Sequence, residues 1–367
     1  MKLKIIIPII VLVIILVEAL IVVSKPPNAT DSNKGLSSEE KHLLKYSYEI
    51  PDNLNVLDII SDNKLVIQES NEIKIYSIAE NKSSDKLADI SEGFKVTKVI
   101  TFDEGIIWVE NRTTPDITSR IYVKYFSSNK VNLLDESKSD ILPSIALSPS
   151  SRYLSYYIIN GNKVDVKYYD LDKNVQKSLA QYELNNENGL NLVSTPNSDD
   201  NAIVWSYSTN KESSLFKYSI TTGQIEKLSN ADMTQPVITN NKIVALKRYD
   251  FYDNNKKITY ASDYILQYNY DTKQWVKFEE GKINDYMDGN EESIITLSFN
   301  NGLFYWMSTL SNGKCVYDFT TYKFIPLTEK DAKNTLQTSI KIVKGKLVYY
   351  EARDYNNNYS NFLYIVK

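Results

Sequence analysis

The sequence predicts an all-β fold: a seven-bladed β-propeller closed by an N-terminal strand and preceded by one transmembrane helix. Three observations predict it. A strand–turn–strand unit recurs along the chain. The span from Tyr46 to Lys367 is 322 residues, seven times 46. An apolar run long enough to cross a bilayer stands ahead of that span.

The clearest unit is Tyr218-Ser-Ile-Thr-Thr-Gly-Gln-Ile-Glu-Lys-Leu228. Thr222-Gly223 is its turn, because glycine accepts the positive φ that a short hairpin needs. Further copies begin at Tyr169, Tyr268 and Tyr317, looser ones at Tyr76 and Tyr122, and a truncated one at Tyr364. Successive tyrosines lie 46, 47, 49, 50, 49 and 47 residues apart. A period of this size filled with strands is the mark of a propeller or a β array.

Residues 1–24 are expected to be a cytoplasmic stub and a transmembrane signal anchor. Ile5–Val23 is apolar apart from Glu18, and at ~1.5 Å per residue it spans roughly 28 Å. Lys2 and Lys4 keep the N-terminus inside and place the C-terminal bulk outside. A cleaved signal peptide is the alternative, but such peptides have shorter apolar stretches ending in small residues. No cysteine follows the run to carry a lipid. Glu18 either snorkels outward or meets another membrane helix. Residues 25–45 read as a polar linker, in which Ser37 and Glu40 have capping-box spacing.

Residues 46–367 hold the propeller. In the second unit the strands are expected over Val96–Asp103, Ile106–Asn111, Ile121–Phe126 and Val131–Leu134. In the fourth they are Leu192–Thr195, Ala202–Tyr207, Leu215–Ile220 and Gln224–Leu228. The apolar runs holding Trp108, Trp205 and Trp306 suit strands covered on both faces. The last unit has three strands before the chain stops, and Tyr46–Ile50 is a strand without a unit. Pairing that strand with the last unit would close the ring and hide an open edge.

Composition excludes several chemistries. One cysteine, Cys315, rules out an internal disulfide; with one histidine, His42 in the linker, no Cys/His zinc cluster or His-dependent triad within the repeats can be built. No cofactor is expected. The net charge is −4, and about −6 beyond residue 25, which argues against nucleic acid as a partner. Asp170-x-Asp172-x-Asn174 has the opening spacing of a calcium loop but lacks the central glycine, and reads as a turn.

Ser148-Pro-Ser-Ser-Arg-Tyr-Leu-Ser-Tyr-Tyr157 resembles the Ser-Pro-Asp-Gly repeat of bacterial TolB-like and related WD40-like propellers, departing from it at Ser150-Ser151. The Tyr218 hairpin is similar to the same group. The resemblance implies a propeller and, often, a non-enzymatic extracytoplasmic role. It carries over no functional residue.

Turns between first and second strands, such as Asp103-Glu-Gly105, are short. The long segments join second to third strands or one unit to the next: Arg112–Arg120, Tyr249–Asp263, Lys282–Glu292 and Arg353–Ser360. Because strands alternate in direction, both classes of long segment emerge on one face, where function is expected. The candidate binding residues there are Tyr249, Tyr252, Tyr260, Asp285, Tyr286, Asp288, Arg353 and Tyr355, which suit sugar rings or peptides. The expected partners are the bilayer, through Ile5 to Val23, and an envelope polysaccharide or protein. The alternative is an enzyme that cleaves wall polysaccharide with paired acids such as Asp285 and Asp288.

Overall fold

The structure is a computed structural model. It describes residues 29–30, residues 44–147 apart from 52–53, residues 151–184, and residues 192–278 apart from 210–212, 230–232, 240, 248, 254–255 and 262–264. From 294 to 366 it describes strands alone. The apolar run Ile5–Val23, the Ser37 cap, and Asp285, Tyr286 and Asp288 lie outside the described residues.

Every regular element among the described residues is a strand, and no described helix is long and apolar enough to cross a membrane. The strands form seven sheets of four or five strands and one separate two-stranded hairpin. In chain order the second sheet is Lys95–Phe102, Gly105–Arg112, Thr118–Tyr125 and Val131–Ser137. The third is Ser144–Ala146, Tyr153–Asn160, Lys163–Asp170 and Val175–Glu183. Each is an antiparallel meander, which tight hairpins permit without crossovers. The expected strand bounds hold to within about three residues. Gly105, expected in a turn, instead opens a strand opposite Tyr125, where an added Cβ would lie 2.2 Å from the Lys124 carbonyl oxygen.

Two expected loops are corrected. Tyr249–Asp263 contains a hairpin, Tyr249–Asp253 paired with Lys256–Ala261, so Tyr249, Tyr252 and Tyr260 lie on strands. The register shifts between Phe251 and Tyr252, and Asp253 opposes Lys256. Arg353–Ser360 is not an open loop either. Lys346–Tyr355 and Asn358–Val366 stay paired as far as Tyr355 opposite Asn358, which puts Arg353 and Tyr355 on a strand.

The chain divides into two compact units. One comprises Met1–Ile67, Lys74–Asp85 and Leu336–Lys367, and the other Gln68–Ile73 and Lys86–Thr335. In the first unit Leu44–Ile50 pairs antiparallel with Asn358–Val366, with Ser47 opposite Tyr364 and Ile50 opposite Asn361. Its core joins side chains far apart in sequence: Ile50, Val56, Ile59, Leu65, Ile67, Tyr76, Ile78, Val348, Leu363 and Ile365, all under a tenth exposed.

In the second unit successive sheets pack face to face. Ile107, Val109, Ile121 and Val123 of the second sheet share a core with Ile145, Leu154 and Tyr156 of the third. Val166 of the third sheet packs with Ile203, Trp205 and Tyr218 of the fourth. Central strands covered on both faces explain the unbroken apolar runs. Trp108 and Trp205 are buried as expected, at 1% and 0% exposure. Polar bonds tie the inner strands from sheet to sheet. Lys98 Nζ donates to the Ile145 carbonyl at 2.7 Å, Ser144 and Thr195 hydroxyls meet at 2.6 Å, and Asn197 Oδ1 accepts the Ile238 amide at 3.1 Å.

The tyrosine hairpins share a backbone device. Five residues after Tyr76, Tyr169, Tyr218 and Tyr268 stand Asn81, Asn174, Gly223 and Lys273, with φ of 50°, 56°, 70° and 54°. The Tyr169 hydroxyl donates to Asn174 Oδ1 at 2.9 Å, and Tyr76 likewise bonds Asn81. Asparagine and glycine tolerate this left-handed conformation, whereas lysine pays a steric cost. Lys273→Gly is therefore expected to stabilise the protein by about 0.5–1 kcal/mol, and Gly223→Ala to destabilise it by about 1 kcal/mol. Urea denaturation of both variants checks this; effects of the same sign would contradict it. In the same hairpin row, Asp170 Oδ1 accepts the Asp172 and Lys173 amides at 3.1 Å each, so the acidic Asp170–Asn174 stretch is a turn.

Two tyrosines make stability sensitive to alkali. Burial raises the Tyr125 phenol from 10.0 to about 12, and its hydroxyl donates to the Leu171 carbonyl at 2.6 Å. Burial raises Tyr182 from 10.0 to about 12, against an opposing bond from Trp205 Nε1 at 2.8 Å. An acid whose pKa rises on folding contributes stability in full below its unfolded pKa. That contribution is lost as pH climbs from 10.0 through about 12. Tyrosinate absorbance should therefore titrate in at least two classes, with stability falling across the upper one. A single class near 10.0 would contradict this.

Candidate functional site

Of the four expected long segments, Arg112–Arg120 is described throughout, and it lies at one end of the second sheet. Gly105–Arg112 and Thr118–Tyr125 pair up to Arg112 opposite Thr118, and the intervening residues 113–117 are all exposed. The connection entering this sheet turns at the same end, with the Phe94 amide donating to the Ser91 carbonyl at 3.0 Å and Gly93 at φ 76°. This turn seats Phe94, 8% exposed, beneath two arginines. The Arg112 and Arg120 guanidinium carbons lie 4.9 and 4.6 Å from its ring centroid.

The two arginines differ in charge balance. Arg120 Nε donates to Glu136 Oε2 at 2.7 Å, and that bond holds its guanidinium above the usual range. Arg112 Nε reaches only the Asp116 carbonyl, at 3.4 Å. Among the described residues no carboxylate pairs with Arg112, so its guanidinium keeps a free fork of donors.

A buried acid fixes the ground beneath. Glu110 is 0% exposed; it accepts the Trp108 indole N–H at 2.9 Å and the Ser91 amide at 3.2 Å. Trp108 stacks on Tyr122 at 5.1 Å, and the Tyr122 hydroxyl lies 3.4 Å from Ser91 Oγ. The acid thus clamps the incoming turn to the sheet, which a buried carboxylate with satisfied oxygens can do. Asp103 and Glu104 are exposed in the turn at the opposite end of the sheet.

A second aromatic group lies on the third and fourth sheets. Tyr182 stacks on Tyr207 at 4.3 Å, and Trp205 on Phe216 at 5.6 Å. Its rings are spent on one another and on a buried core, so it reads as packing.

Of the residues expected to bind, the structure places Tyr249, Tyr252 and Tyr260 on the separate hairpin, and Arg353 and Tyr355 on a strand of the last sheet. Asp285, Tyr286 and Asp288 lie outside the described residues. The expected set did not include Arg112, Arg120 or Phe94. The signal was present: an arginine at each end of the segment 112–120 and a phenylalanine closing the preceding turn. Only pairing of the strands brings them together.

Solved structures show the same architecture. The β-propeller domain of the trilobed protease from Pyrococcus furiosus is similar at 12% identity and a TM-score of 0.55, over 88% of this chain and 94% of that one. The fold is a β-propeller. A puromycin-hydrolyzing peptidase from Mycobacterium tuberculosis is similar at 9% identity and a TM-score of 0.50, over 79% of this chain and 48% of that one. The propeller chain thus spans about half the length of that peptidase. TolB from Acinetobacter baumannii is similar at 12% identity and a TM-score of 0.42, over 85% of this chain and 78% of that one. No family model and no curated protein matches the propeller. At these identities the likeness establishes fold alone.

Proposed function

We propose that the chain is a membrane-anchored, extracytoplasmic propeller that binds an envelope component or a partner protein through its long-segment face, without catalysis. The observation that carries this reading is the end of the second sheet. There an exposed segment, 113–117, stands beside an arginine with an uncommitted guanidinium resting on a phenyl ring. A guanidinium, a ring and the exposed Ile117 hold a ligand; none of them shuttles protons at neutral pH.

Ile5–Val23 would supply the anchor, and Lys2 and Lys4 the orientation. Seven sheets would form one ring, with Leu44–Ile50 as the fourth strand of the last and the short strand Ala29–Thr30 paired outside it. Its pairing with Asn358–Val366 supports that closure. The Pyrococcus furiosus propeller has an open velcro topology. The arrangement proposed for this chain differs, because the first strand of the propeller joins the last sheet.

The test uses the full chain in detergent micelles and isolated cell envelope. Replacing residues 113–117 with Asn-Gly should leave the fold intact and reduce binding to envelope at least several-fold. Unchanged binding would count against this face as the binding surface.

A further inference from the structure

We infer that Arg112, Phe94 and Ile117 form a receptor for a single carboxylate flanked by apolar side chains, carried by a protein partner. This rests on the reading of the second sheet's exposed end as a binding surface, and it adds the chemistry of what is bound.

The first element is a fork of donors that meets no carboxylate among the described residues. Arg112 spends one long bond on a backbone carbonyl, at 3.4 Å, and its neighbour Arg120 has already taken Glu136. A planar guanidinium on an aromatic ring is held in orientation, so less freedom is lost when a carboxylate docks in two-pronged fashion. Phe94 supplies that ring at 4.9 Å and is itself fixed by the turn Ser91–Phe94.

The second element is apolar. Ile117 precedes Thr118, the residue opposite Arg112, and it is 39% exposed. An exposed isoleucine next to the residue opposite Arg112 offers apolar surface to an occupant with both an acid and an aliphatic group.

The third element selects against polyanions. Beyond residue 25 the chain carries about −6. Glu92 and Asp116 are exposed beside the site, and Glu110 and Glu136 lie at its floor and side. Acids at the floor and sides add a cost for each further negative charge, so a polymer with repeated phosphates or uronates is repelled more than one carboxylate seated on Arg112. The chemistry therefore points to one acidic side chain within an apolar peptide.

Two fluorescent hexapeptides, N-acetylated and C-amidated, are the probes: five leucines and alanines around one glutamate, and its glutamine twin. Fluorescence anisotropy on the full chain should show the glutamate peptide binding about tenfold tighter than its twin. Arg112→Gln should abolish that preference, and Arg112→Lys, which keeps the charge and the stem on Phe94, should reduce it several-fold. Inorganic phosphate at millimolar concentration should not displace the peptide. Equal binding of the twins, the same preference in Arg112→Gln, or displacement by phosphate would each overturn the inference. If envelope binding depends on residues 113–117 but not on Arg112, the inference fails while the binding surface stands. If the peptide preference holds but envelope does not bind, the reverse is true.

Discussion

Ile50→Ala is expected to destabilise the protein by about 2–4 kcal/mol, and a chain beginning after Ile50 is expected to lose its C-terminal sheet. Ile50 is 1% exposed and shares a core with Val348, Leu363 and Ile365 from the last sheet and Val56 and Ile59 from the first. Truncation to alanine leaves a cavity among side chains from distant parts of the chain. Removing the whole strand does more. It strips the ladder from Leu44–Val366 to Ile50–Asn361 and exposes Asn358–Val366 as an unpaired edge. Unpaired edges recruit other strands, so the shortened chain should aggregate as well as unfold. Chemical denaturation of Ile50→Ala and light scattering of the shortened chain check both outcomes. A cost under ~1 kcal/mol with a monomeric shortened chain would contradict them.

Lys167→Met is expected to cost about 3–5 kcal/mol. Lys167 Nζ lies 2.8 Å from Asp135 Oδ2 and 3.5 Å from Asp165 Oδ2, and the three side chains are 15%, 14% and 13% exposed. Asp135 comes from the outer strand of the second sheet, while Lys167 and Asp165 lie two apart on one strand of the third. Gln176 donates to Asp135 Oδ2 at 2.8 Å, the Tyr156 hydroxyl lies 3.3 Å from the same oxygen, and Ser178 bonds Asp165. Methionine keeps the stem and removes the charge, leaving two largely buried carboxylates without their cation. Exposed pairs are worth far less, because water screens both members. Asp135→Asn in the same background should recover part of the loss, a coupling above ~1 kcal/mol in a double-mutant cycle. Simple additivity would mean that the three groups do not act together.

The parts of this fold that are legible in the sequence are those written locally. The tyrosine spacing marks hairpins because Tyr76, Tyr169, Tyr218 and Tyr268 each stand five residues ahead of a left-handed residue. Where that residue is Gly223 the turn is visible by itself. Where it is Lys273 only the distance from Tyr268 reveals it, since lysine carries no turn signal. The strand Leu44–Ile50 is legible by counting, because three strands at one end and one at the other complete a sheet. The hairpin Tyr249–Asp253 with Lys256–Ala261 reads as a loop because acids and lysines interrupt its apolar residues, and their cross-strand pairing is invisible before register is known. The Arg112–Phe94 cluster is hidden for a related reason. A charged residue at a strand end looks solvated until another turn brings a ring beneath it.

The most direct test of the proposed ring is a crosslink between its ends. Ser47 and Tyr364 stand opposite one another in the ladder between Leu44–Ile50 and Asn358–Val366. With Cys315 replaced by serine, Ser47→Cys and Tyr364→Cys should form an intramolecular disulfide under mild oxidation. Mass spectrometry of the digested monomer should recover the two peptides joined. Joined peptides found only in a dimer, or two free thiols in the folded protein, would contradict closure by the N-terminal strand.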